Sequence, residues 1–169
     1  MQSKKNFIPV PDGNAAKYFS YREAWGRIKQ SIALGYYLEA VTLEESIISD
    51  RLISYLVRVG AVKSDSKLQT QPLASLIREW KSHVPETICD SFCHDLQSEI
   101  DDWRMRRNKV VHSMVKSIPG DDHLDILDFK KEAELVALKG ERLAKSLCNW
   151  CKKIKQQTAR KEIDGGRRN

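Results

Sequence analysis

Apolar residues recur every three to four positions along almost the whole chain, and no stretch alternates apolar with polar residues over a useful length. That period suits helices with one buried face and leaves nothing to build a sheet. The predicted fold class is therefore all-α, an up-and-down bundle of four or five helices. With 169 residues, 41% hydrophobic and 31% charged, the chain is sized for one domain with a substantial core.

Breakers divide the pattern. Pro9, Pro11 and Gly13 mark residues 1–19 as an extended arm, and "SYRE" at 20–23 reads as a capping box that starts a helix running to Leu34. After Gly35 a long helix spans Tyr36 to Val59, with Leu38, Val41, Ile48, Leu52, Tyr55 and Leu56 on one broad face and Gly60 as its stop. Pro72 opens a short helix through Trp80, and Pro85 separates it from a helical run that starts near Glu86. "SIPGDD" at 117–122 breaks that run, and Asp125 or Asp128 caps a final helix reaching Gln156. Gly140 weakens this helix by about 1 kcal/mol relative to Ala and marks a bend. The predicted domain covers 20–156, followed by a basic disordered tail over 157–169.

The net charge is +6, but Lys152 to Asn169 holds seven basic and two acidic residues and so carries +5 of it. The remaining body is nearly neutral, and only local clustering can make it bind anions. No apolar run approaches the roughly 18 residues that cross a bilayer, and "MQSKKNFIPVPDG" lacks the apolar region of a secretory signal, so no membrane contact and a cytoplasmic location are expected. Cys89, Cys93, Cys148 and Cys151 form spaced pairs, with His94 beside the first. Their spacing departs from zinc-knuckle patterns, and both pairs fall on helical stripes, so buried thiols are expected rather than a metal or other cofactor. "DDHLD" at 121–125 reads as turn chemistry and a helix cap.

The chemistry concentrates in "RMRRNKVVHSM", residues 104–114. Asn108 and His112 are four apart and share a helical face, whereas Arg107 is rotated about 140° from His112. Histidine both takes and gives a proton near neutral pH, and the arginine fork matches phosphate oxygens. Together they suffice for RNA cleavage without a metal. His112 serves the ribose 2′-OH or the leaving oxygen, Arg107 holds the charge on phosphorus, and Asn108 orients either. A second Arg-x4-His, Arg78 to His83, lies just before Pro85 and reads as a helix terminus.

"RNKVVH" at 107–112, preceded by "IDDWRMR" and followed by a long closing helix, resembles the R-x4-6-H motif and layout of the HEPN superfamily over residues 20–156. The resemblance implies a HEPN-like helical domain that dimerises, so that two motifs share one cleft. It further implies metal-independent endoribonuclease activity, in toxin–antitoxin, phage-defence or RNA-processing settings. Arg107, His112 and Asn108 would then be catalytic, while Arg104, Arg106 and Lys109 steer RNA. An acid on an earlier core helix belongs to the pattern, and "LEES" at 43–46 offers Glu45 ahead of Glu44. RNA, a second copy of the chain and an antitoxin or regulatory protein are the implied partners. His112 is followed by Ser113 and Met114, so the branch silenced through H-x-Y tyrosine modification is not matched. Without the resemblance, 104–112 is a solvated helical face balanced by Glu99, Asp101 and Asp102, and the chain is a helical module that binds a protein or nucleotide or acts through its basic tail.

Overall fold

The computed structural model describes residues 13–63, 70–113 and 126–166, and within them it is all-helical, with five helices. These are α1 (Gly13–Leu34), α2 (Tyr37–Arg58), α3 (Leu73–His83), α4 (Leu96–Ser113) and α5 (Ile126–Gly166). The 121–125 stretch and Met114 lie outside the described residues.

The longest apolar face nucleates the packing. Buried Ala40, Val41, Glu44, Ile47, Ile48, Leu52, Tyr55 and Leu56 recur along α2 at helical spacing, and this helix packs most extensively on α5. Specific contacts fix the directions. Glu44 meets Gly140, and the Cys151 thiol lies 3.9 Å from the Arg51 carbonyl, so α2 and α5 run parallel. α4 runs against α5, pairing Arg106 with Glu132 at 2.8 Å and Glu99 with Lys139 at 3.4 Å. α1 runs against α2, because Lys17 and Tyr21 near its start reach Asp50 near the end of α2. Short α3 closes that end of the bundle, where Trp80 and Tyr55 both pack on Trp150, with ring centroids at 5.4 and 4.8 Å.

Gly35 and Gly60 terminate α1 and α2 in the left-handed region, at φ 78° and 73°. In each case the two residues past the cap bond back across the last turn: Tyr36 N to Ser31 O at 2.8 Å, and Ala61 N to Leu56 O at 3.0 Å. This is the Schellman arrangement, which a residue with a Cβ adopts only under strain.

Three boundaries differ from the sequence reading. α1 starts at Gly13, so Ser20 and Glu23 lie inside it, and Glu23 pairs with Arg27 at 2.9 Å instead of capping. Contacts of Lys17 and Tyr21 with Asp50 reward the extra turns. Residues 84–95 are not helical, and the expected helical stripe through Cys89 and Cys93 is absent, with Cys89 and Phe92 exposed. Asp90 accepts from the amides of Phe92 and Cys93 at 2.7 and 2.8 Å, and Asp95 accepts from those of Gln97 and Ser98 at 3.1 and 3.2 Å, which delays α4 to Leu96. Finally, α5 continues as helix through Gly166, beyond the expected end at Gln156.

The seam between α2, α4 and α5 is closed at Gly140. A Cβ there would fall inside the Glu44 carboxyl and 2.8 Å from Trp103 Nε1. Trp103, itself buried, donates to the Val136 carbonyl at 2.9 Å. Glu44 is fully buried, and neither carboxyl oxygen has a hydrogen-bond partner among the described residues. Burial, and secondarily the charge of Glu141, pushes its pKa up to about 9. Gly140→Ala is expected to destabilise the protein by about 2 kcal/mol or more in urea unfolding, although alanine is the better helix former. Because the folded pKa of Glu44 exceeds its unfolded value, its stability contribution is complete below pH 4.5 and declines as pH rises toward 9. The decline amounts to about 3 kcal/mol by pH 7. Glu44→Gln should flatten the pH–stability profile across this interval; an unchanged profile would show that Glu44 ionises freely.

Candidate functional site

Ile100, Trp103 and Val110 bury one face of α4 and turn its charged face outward. The arginines there do not share one fate. Arg107 is largely buried and pairs through Nη2 with the carboxylate of Glu45 on α2, while Nη1 donates to Asn108 Oδ1 at 2.8 Å. Its Nε is buried without a hydrogen-bond partner among the described residues. The guanidinium is therefore fixed on two sides. Glu45, not Glu44, is the acid that faces it.

Arg104 and Arg106 are also engaged. Arg104 pairs with Asp101 at 2.8 Å, and Lys81 approaches the same carboxylate at 3.4 Å. Arg106 holds Glu132 on α5 through Nε and Nη2. Hydrogen bonding from Arg104, with the charges of both cations, outweighs burial and keeps the Asp101 carboxyl below its ordinary value. Lys109 is exposed and forms no ion pair among the described residues. His112, in the last turn of α4, is exposed. The structure thus joins Glu45, Arg107 and Asn108 directly. It leaves His112 one turn beyond Asn108 at the helix end, where the Gly35 turn and the start of α5 also lie.

The other chemical candidates resolve into structure. His83 ends α3 with Nδ1 2.9 Å from the Glu79 carbonyl, and Arg78 is exposed, so this second Arg-x4-His is a helix terminus. All four cysteines are free, and among the described residues no group of three or more His, Cys, Asp or Glu is placed to hold a metal ion. Also among the described residues, no helix is long and apolar enough to cross a membrane.

One polar cluster had no signal in the sequence. Asp50 on α2 accepts from Lys17 at 2.9 Å, from Arg51 at 2.9 Å and from the Tyr21 hydroxyl, while Arg51 Nε reaches that hydroxyl at 2.6 Å. Burial alone would raise the Asp50 carboxyl, but hydrogen bonds from Tyr21, Lys17 and Arg51 hold it below its ordinary value. The residues belong to two helices and follow no local motif. No family model matches the chain, and no curated protein or solved structure matches it either.

A double-mutant cycle on Glu45→Ala and Arg107→Ala should return a coupling of about 1–3 kcal/mol, because the pair is mostly withdrawn from water. The same cycle on Glu132 and Arg106 should return less than about 1 kcal/mol, since Arg106 is exposed. Equal couplings would mean that the Glu45 pair is no better shielded than the surface one.

Proposed function

We propose that this protein is a metal-independent endoribonuclease of HEPN type that acts as a homodimer. The observation that carries the reading is the Glu45–Arg107–Asn108 unit, which holds the motif arginine on an acid from an earlier core helix, with His112 exposed one turn farther along α4. A guanidinium fixed in this way loses little rotamer freedom when it meets a phosphate. His112 takes the proton of a ribose 2′-OH, the oxygen attacks the adjacent phosphorus, and Arg107 stabilises the extra negative charge. The 5′-oxygen departs with a proton from an acid, a role the second copy's motif fills in a shared cleft. The products are a 2′,3′-cyclic phosphate and a 5′-hydroxyl. A role as a toxin or phage-defence effector, countered by an antitoxin or regulatory protein, is the setting this chemistry suits.

A second reading has its own observation. Arg104, Arg106 and Arg107 are each neutralised by a carboxylate, as expected of a helical module that binds a protein or nucleotide partner without catalysis. Incubating the protein with RNA in EDTA separates the two. Under the nuclease reading, cleavage survives chelation and falls at least about 100-fold in both His112→Ala and Arg107→Ala. Absence of cleavage across diverse RNAs by a folded protein would favour the module.

A further inference from the structure

At the opposite end of the bundle from His112, α1, α2 and α5 enclose an open groove of about 670 Å³. Lys17, Arg51, Arg58, Lys152 and Lys155 reach it from three different helices, and no carboxylate lines it among the described residues. Asp50, behind it, is already saturated by Lys17, Tyr21 and Arg51. Arg58, Lys152 and Lys155 are exposed and form no ion pair among the described residues, in contrast to the arginines of α4. The floor adds no negative charge, because burial pushes the Cys151 thiol up to about 11 and raises that of Cys148 as well.

Aromatic rings line the same groove as these cations. Tyr18, Tyr21 and Trp25 follow one another on one face of α1 and all line the groove. Tyr21 is locked, with its hydroxyl bonded to Asp50 and the Arg51 guanidinium 4.3 Å above its ring. Tyr18 is 64% exposed, its ring in edge contact with that of the less exposed Phe19. A solvated lysine face would not need rings facing it. Cations that form no ion pair among the described residues, lining one groove with an exposed tyrosine ring, match the phosphates and bases of an unpaired strand.

We propose that this groove binds single-stranded nucleic acid, with Arg58, Lys152 and Lys155 on phosphates and Tyr18 stacking on a base. The site is separate from the α4 motif and does not depend on the nuclease reading. The test is fluorescence anisotropy with a labelled oligo-deoxythymidine of about twelve nucleotides, in EDTA at several salt concentrations. That probe has no 2′-OH and cannot be consumed by the chemistry proposed above, so the two readings fail independently.

The wild-type chain is expected to bind the strand at low salt. Lys152→Glu/Lys155→Glu should weaken binding and reduce the slope of log affinity against log salt by about 1.4, the loss of two phosphate contacts. Tyr18→Ala, an exposed substitution, should weaken it roughly 5- to 150-fold with that slope unchanged. Lys131→Glu/Arg142→Glu, an equal charge change elsewhere on the surface, should leave binding unchanged. The proposal is overturned if the wild type does not bind, if both double variants weaken binding alike, or if polyglutamate or phosphatidylserine vesicles compete as strongly as the strand.

Discussion

Three helices meet where the Glu44 carboxyl, the Trp103 indole and the bare backbone of Gly140 fill one space. No side chain other than hydrogen fits at position 140 without displacing one of the others, so this contact sets how α2, α4 and α5 slide past one another. The candidate site inherits that register. Glu45 follows Glu44 and turns about 100° toward α4, while Arg107 lies one turn after Trp103 on the facing helix. The ion pair that holds the guanidinium is therefore fixed by the packed contact beneath it. A carboxyl with no hydrogen-bond partner among the described residues is an expensive way to fill a core, and the burial that raises its pKa to about 9 favours the neutral form that such packing tolerates.

Charge is distributed in two styles across the molecule. On α4 each of the three arginines is bound to a carboxylate, which rigidifies the helix, while Lys109 and His112 stand exposed. At the far end Arg58 of α2 and Lys152 and Lys155 of α5 form no ion pair among the described residues and share a groove with the exposed ring of Tyr18. A basic composition alone would not distinguish these ends. The first arrangement suits a fixed electrostatic anchor for one phosphate, and the second suits a surface that tracks several.

Much of the bundle is legible from residue spacing and punctuation. Gly35 and Gly60 stop their helices, Pro72 opens α3, and the α2 stripe from Val41 to Leu56 is buried as its period requires. Failures arise where side chains outcompete local pattern. The apolar and cysteine positions of 88–93 have helical spacing, yet the Asp90 and Asp95 carboxylates capture nearby amides and hold the chain in turns. Gly140 resembles a flaw in α5 until its neighbours from two other helices are known. Within the site, the Arg107 to His112 spacing is visible in one dimension, and the preference for Glu45 over Glu44 has a geometric counterpart. Pairing of Arg104 and Arg106 with Asp101 and Glu132 takes from them the free charge that a string of basic residues suggests. The α1–α2–α5 groove is invisible beforehand because its residues come from positions more than a hundred apart.

The central functional claim is that Arg107 and His112 serve one phosphodiester without a metal. Mapping the chemical ends of RNA exposed to the wild-type protein in EDTA tests it most directly. New fragments ending in 2′,3′-cyclic phosphate and beginning with 5′-hydroxyl are the predicted result. Fragments with 3′-hydroxyl and 5′-phosphate ends, or RNA that stays whole, would contradict it.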